Sequence, residues 1–157
     1  MPAITKPERG YRALRRGRLS LEGHVYHVTT TTSRRKPLFA DFATARIAVR
    51  ALNEPAHRGH CTLIAWVLMP DHLHVLLRLT PTAALEGTVS RLKSAIARAS
   101  NRHLGRSGAF WQGGFHDHLI RDGEDLRAVA RYIVMNPLRA GLVARVSGYP
   151  HWDAIWL

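Results

Sequence analysis

Three features of the sequence predict an α+β sandwich with an antiparallel sheet. Stretches rich in β-branched and apolar residues recur at 23–32, 61–69 and 72–79, and segments with helical apolar spacing lie at 41–55, 82–104 and 122–136. The second and third apolar stretches are separated only by Pro70-Asp71, a break so short that a hairpin should join them. At 157 residues the chain suits one domain over 1–157, with a basic arm over residues 1–20 and a short tail over 144–157.

Taken in order, Gly23 to Thr32 (GHVYHVTTTT) is the first strand, ended by Ser33-Arg34-Arg35-Lys36-Pro37. Asp41 is a plausible N-cap for a helix whose apolar face is Phe42, Ala45, Ile47, Ala48, Ala51 and Leu52, ending near Pro55. Cys61 to Met69 and His72 to Leu79 are the hairpin strands. Thr82 to Leu104 is a longer helix with a stripe of Leu85, Val89, Leu92, Ile96 and Ala99. Phe110 to Arg121 (FWQGGFHDHLIR) reads as an irregular fourth strand whose glycine pair suits a bulge or loop. A third helix runs from Asp122 and stops near Asn136, because Pro137 disfavours helical backbone in the residue before it. This β-α-β-β-α-β order with an extra C-terminal helix is that of a ferredoxin-like sandwich.

The composition points to a polyanionic partner. Lys and Arg number 23 against 11 Asp and Glu, a formal charge of +12, and neutralising phosphates releases counterions and steers association. No basic amphipathic anchor marks a membrane partner, and the longest apolar run, Leu63 to Met69, is far shorter than the ~20 residues that span a bilayer. A single Cys61 makes no internal disulfide and residues 1–18 hold no apolar signal core, so a reducing cytoplasm is expected. Arg12, Arg15, Arg16 and Arg18 of the arm are either a solubilising tail or contacts to a nucleic-acid backbone. Arg91, Lys93 and Arg98 are either a solvated helix face or a nucleic-acid track.

The chemistry concentrates in Met69-Pro70-Asp71-His72-Leu73-His74-Val75-Leu76-Leu77. Residues i and i+2 of a strand share a face, so His72 and His74 present paired imidazoles while Leu73 and Val75 face the other way. Such a pair suits a metal ion or a phosphate, although one solvated and one backbone-bonded histidine would give the same pattern. The second informative stretch is Arg131-Tyr132-Ile133-Val134-Met135-Asn136-Pro137. Tyr132 and Asn136 lie one helical turn apart: a phenol to serve as nucleophile and an amide oxygen to join the histidines, or else a core anchor followed by a stop signal. His116 and His118 also alternate and suit phosphate contact or solvent. Trp111 and Phe115 suit either the core or base stacking.

Together, Tyr26-His27-Val28-Thr29, Met69-Pro70-Asp71-His72-Leu73-His74-Val75, Phe110-Trp111-Gln112 and Tyr132 to Val143 (YIVMNPLRAGLV) resemble the REP-associated tyrosine transposases. These are relatives of the bacterial single-tyrosine transposases among the endonucleases named for their His, bulky apolar, His motif. The likeness runs from about Tyr11 to Gly148. It implies Tyr132 as nucleophile, His72, His74 and Asn136 as ligands of a divalent metal, Mg²⁺ or Mn²⁺, and single-stranded or hairpin DNA as substrate. It also implies a 5′-phosphotyrosine intermediate, formed by a monomer or homodimer. A phenol, with an ordinary pKa of about 10, needs help from a cation or base to attack at neutral pH. The further candidate DNA contacts are Arg34, Arg35, Lys36, Trp111 and His118, beside the basic residues named above. The competing readings are a non-catalytic nucleic-acid-binding module on the same fold, a metal-free phosphoesterase with paired histidine motifs, and an inactive domesticated relative.

Overall fold

The computed structural model describes residues 23–121 and 124–156. The arm, with Arg12, Arg15, Arg16 and Arg18, and the expected helix start at Asp122 lie outside the described residues. The order is β1 (Val25–Thr31), α1 (Phe42–Leu52), β2 (Cys61–Leu68), β3 (His72–Leu79), α2 (Leu85–Leu104), β4 (His116–Leu119), α3 (Leu126–Val134), α4 (Asn136–Arg139) and β5 (Trp152–Ala154). The strands form one sheet in the order β4-β1-β3-β2-β5, and every pairing is antiparallel. The first four strands follow the ferredoxin-like order predicted from sequence.

Each face of the sheet takes one set of alternate residues. Tyr26, Val28, Leu73, Val75, Leu77 and Leu79 pack under α1 and α2 against Ala45, Leu52, Val89, Leu92 and Ile96. Val25, Ala65, Val67 and Leu76 pack on the other face against Ala130, Ile133 and Val134 of α3. Ile133 and Leu76 are fully buried, and burial of such side chains stabilises by about 1.5–3 kcal/mol each. That small apolar cluster fixes where α3 crosses the sheet.

Local signals set the ends of the elements. The Asp41 carboxylate accepts from the Thr44 amide at 2.9 Å and caps α1 as expected. Asp125 caps α3, accepting from the amides of Arg127 and Ala128. Helix α2 starts at Leu85 rather than Thr82, because Ala83 N–H turns back to Thr80 O. Gly105 ends it at φ +63°, a left-handed C′ position that favours glycine. The predicted fourth strand is shorter than expected: only His116–Leu119 pairs continuously with β1, while Trp111 makes an isolated bridge to Thr32. Between them the chain turns at Gly114, φ +79°.

Helix α3 stops at Val134, and Asn136 opens the separate turn α4. Hydrogen bonds from Met135 N–H to Arg131 O and from Arg139 N–H to Met135 O flank the break. The break is a kink at Met135, two residues before Pro137, which has no N–H to give to the ladder. Tyr132 and Asn136 therefore flank a kink instead of sharing one continuous helix. The tail packs on the domain. Its strand β5 pairs with β2, and Tyr149 Oη donates to Leu68 O at 2.5 Å.

Candidate active site on the histidine face of the sheet

The alternation that buries Leu73 and Val75 turns His72 and His74 to the face covered by α3. Their ring centroids are 4.9 Å apart. Strand β1 lies alongside with Thr29 opposite His74 and Thr31 opposite His72. Strand β4 then sets His116 opposite Thr29 and His118 opposite His27. One sheet face thus carries five histidines from three strands.

Hydrogen bonds hold the pair. His72 Nδ1 lies 2.6 Å from Asp71 Oδ1, and Arg35 Nε donates to the other carboxylate oxygen at 3.2 Å. Burial works against the Asp71 carboxylate, but the bonds from His72 and Arg35 hold it below the usual carboxylate range. His74 Nδ1 lies 3.0 Å from both His27 Nε2 and Thr29 Oγ1. Burial, reinforced by the charges of His72, His27 and Arg139, pushes the His74 pKa down to about 3. Burial and the neighbouring His118 lower that of His27. At neutral pH His74 is therefore a neutral imidazole with a lone pair to give, the form in which histidine ligates metals.

The helical side contributes three further groups. Ala130, Ile133 and Val134 hold α3 down, which leaves Tyr132 61% exposed; the anchoring role open to it from sequence falls to Ile133. The guanidinium of Arg139 sits over the Tyr132 ring, 3.8 Å from its centroid, and Nη2 donates to the Tyr132 carbonyl at 2.6 Å. Asn136 Nδ2 donates to Ile133 O at 2.9 Å, leaving the amide oxygen as its lone-pair end. Of the other described tyrosines, Tyr26 is buried in the helix-side core and burial pushes the Tyr149 phenol up to about 12. Tyr11 lies outside the described residues.

The donor set fits a divalent cation. Two imidazoles on one strand, with an amide oxygen, would suit a borderline ion such as Mn²⁺ better than a site of oxygen alone. Among the described residues no three His, Cys, Asp or Glu side chains are grouped to hold an ion, so a third protein ligand would have to be of another type, as Asn136 is.

The candidate DNA contacts separate. Arg34, Arg35 and Lys36 are exposed at the end of β1, and the Arg35–Asp71 pair ties that turn to the histidines. His118 is exposed on the histidine face and bonds Glu124 at 3.3 Å. Arg91 and Arg98 are exposed on α2, across the sheet from the histidine pair. Lys93 differs from the free cation expected of it: its ammonium donates to Gln112 O at 3.1 Å and Gly114 O at 2.7 Å, and burial lowers its pKa. Trp111, offered as a stacking platform, packs on Phe39 and Phe110 and donates its indole N–H to Lys93 O at 2.9 Å.

Four residues of this site, His27, Thr29, Asp71 and Arg139, were not singled out as functional from sequence. The polar alternation His27, Thr29, Thr31 against Tyr26, Val28, Thr30 was a usable signal for the first two. Asp71 was hidden by its role in the turn, and Arg139 by the kink that brings it back over Tyr132, seven residues earlier.

The family model for IS200-like transposases matches residues 20–136. A Haemophilus influenzae protein provisionally named a REP-associated tyrosine transposase is 32% identical over 98 residues, 56% of this chain and 56% of its own. The REP-associated tyrosine transposase of Escherichia coli K12 is 31% identical over 86 residues, 55% of this chain and 50% of its own. The chain spans about half the length of these curated relatives. The solved structure of a REP-associated tyrosine transposase bound to a REP hairpin superposes with a TM-score of 0.66 at 25% identity, covering 86% of this chain and 79% of that one. Among the described residues, no helix is long and apolar enough to cross a membrane. The chain belongs to the IS200-like transposase family, and within it is similar to the REP-associated tyrosine transposases.

Proposed function

We propose that this chain is a metal-dependent endonuclease and strand transferase for single-stranded, hairpin-forming DNA of the REP type, acting through a 5′-phosphotyrosine on Tyr132. The observation that carries the reading is that His72 and His74 occupy the sheet face covered by the helix that exposes Tyr132. The hairpin bound by the similar solved structure and the +12 charge support DNA as the partner.

In this reading His72, His74 and the Asn136 amide oxygen hold Mg²⁺ or Mn²⁺. When bound, the cation polarises the scissile phosphate and offsets charge on its non-bridging oxygens. Tyr132 Oη forms a bond to phosphorus as the P–O3′ bond breaks, leaving a free 3′-hydroxyl and the 5′ end on the tyrosine. Phosphate-ester count is conserved, so a second 3′-hydroxyl can reverse the step and join strands without ATP. Arg139, against the Tyr132 ring and with its charge felt at His74, would offset the negative charge of the phosphate beside the nucleophile.

The test is a labelled hairpin oligonucleotide incubated with the protein and Mn²⁺ or Mg²⁺, then run on a denaturing gel. A covalent adduct is expected. Tyr132→Phe should abolish it while DNA binding and the fold persist, because the exposed ring keeps its place; His72→Ala or His74→Ala should abolish cleavage. Cleavage by Tyr132→Phe without an adduct would make water the nucleophile and overturn the proposal.

A further inference from the structure

We propose that Thr29 and Asp71 are positioning residues that hold His74 and His72 in one and the same tautomer, hydrogen on Nδ1, so that both Nε2 nitrogens are free to ligate a cation. This rests on the reading that the two histidines hold the metal.

The argument starts from donors and acceptors. A neutral imidazole carries one N–H and one lone pair, and the partner of one nitrogen decides which is which. For His72 the partner of Nδ1 is a carboxylate, Asp71 Oδ1, at 2.6 Å. An ionised carboxylate only accepts, so Nδ1 bears the hydrogen and Nε2 the lone pair. Arg35, on the far carboxylate oxygen at 3.2 Å, keeps that group charged and turned towards the ring.

For His74 the partners of Nδ1 come from β1: Thr29 Oγ1 and His27 Nε2, each at 3.0 Å. The antiparallel register sets Thr29 directly opposite His74, so the contact follows from strand pairing and not from a flexible loop. The hydroxyl can accept from Nδ1–H and turn its own hydrogen away. His27, with its hydrogen on Nδ1, then offers the Nε2 lone pair to the same N–H. The reverse arrangement, with His27 Nε2 donating to His74 Nδ1, moves the His74 hydrogen to Nε2 and closes that nitrogen to a metal. A hydroxyl can accept in the first arrangement or donate in the second; in the proposed acceptor role, Thr29 holds His74 in the ligating form. Loss of such outer partners commonly costs 10–100-fold in metal affinity.

The experiment measures Mn²⁺ binding to the 157-residue protein without DNA, by titration calorimetry or by loss of the free-ion electron paramagnetic resonance signal. Ring ¹⁵N shifts of the metal-free protein are read at one fixed pH. Thr29→Val keeps β-branching and shape but removes the acceptor; Asp71→Ala removes the other. Each should weaken Mn²⁺ binding about 10-fold or more and raise the Nε2–H fraction of its own histidine, His74 or His72. Thr29→Ser should restore both values. Wild-type affinity and wild-type ring shifts in Thr29→Val and Asp71→Ala, in a protein whose Mn²⁺ binding is lost in His72→Ala and His74→Ala, would overturn this proposal alone. Mn²⁺ binding that survives both histidine variants would overturn the metal reading beneath it. Weakened binding in Thr29→Val that Thr29→Ser fails to restore would mark a packing effect and also refute the positioning role.

Discussion

Lys93→Met separates two uses of one cation. The substitution keeps an unbranched apolar stem and removes the ammonium that donates to Gly114 O at 2.7 Å and Gln112 O at 3.1 Å. A hydrogen bond from a charged donor contributes about 1.5–3 kcal/mol net. Gln112 is exposed and its carbonyl can return to water, so only the Gly114 bond weighs in full. The burial that lowers the Lys93 pKa is a cost already borne by the native protein, which the methionine relieves. The balance is a loss of about 2 kcal/mol, or roughly 4–8 °C in Tm for a chain of this size. The assay is a melt, with single-stranded DNA affinity measured across a salt series. A clamp should lower Tm and leave the salt slope unchanged. A Tm within about 1 °C of wild type, with a slope reduced by the ~0.7 expected for one lost single-strand phosphate contact, would refute the clamp and restore Lys93 to the DNA track.

Two further outcomes are expected. His27, His74 and His151 have lowered pKa values in the fold, so between the ordinary histidine value near 6.5 and the folded value, about 3 for His74, the unfolded chain binds more protons than the native one. Stability therefore falls as pH drops below about 6.5, by up to about 1.4 kcal/mol per pH unit for His74, with His27 and His151 acting in the same direction. Urea midpoints at pH 7 and pH 5 check this, and equal midpoints would contradict the buried neutral histidines. Removing residues 1–18, with Arg12, Arg15, Arg16 and Arg18, should weaken single-stranded DNA binding and flatten its salt dependence; an unchanged slope would show that the arm only solubilises.

Sequence periodicity was informative where the physics is local. A two-residue alternation in 72–79 is enough to put His72 and His74 on one face, because consecutive side chains of any strand point oppositely. The Asp41 cap and the effect of Pro137 are likewise decided within four residues, by hydrogen-bond donors that the chain has or lacks. Tyr132 illustrates the limit. Its segment was legible as helix, but whether the tyrosine or Ile133 turned to the core depended on where that helix crossed the sheet.

By itself, then, the sequence determined the order of the elements, the strand face shared by the histidine pair and the cationic balance. All three follow from neighbours in the chain or from simple addition. Tertiary structure alone decided which partners those residues meet. Thr29 and His27 reach His74 across 45 and 47 residues because β1 pairs with β3 in one register, and a slip of one residue would have turned them to the opposite face. Lys93 was indistinguishable from Arg91 and Arg98 as a charge on a helix until the 112–114 segment closed over it. Pairing register and the burial of a charge are properties of two segments at once, and neither segment carries them alone.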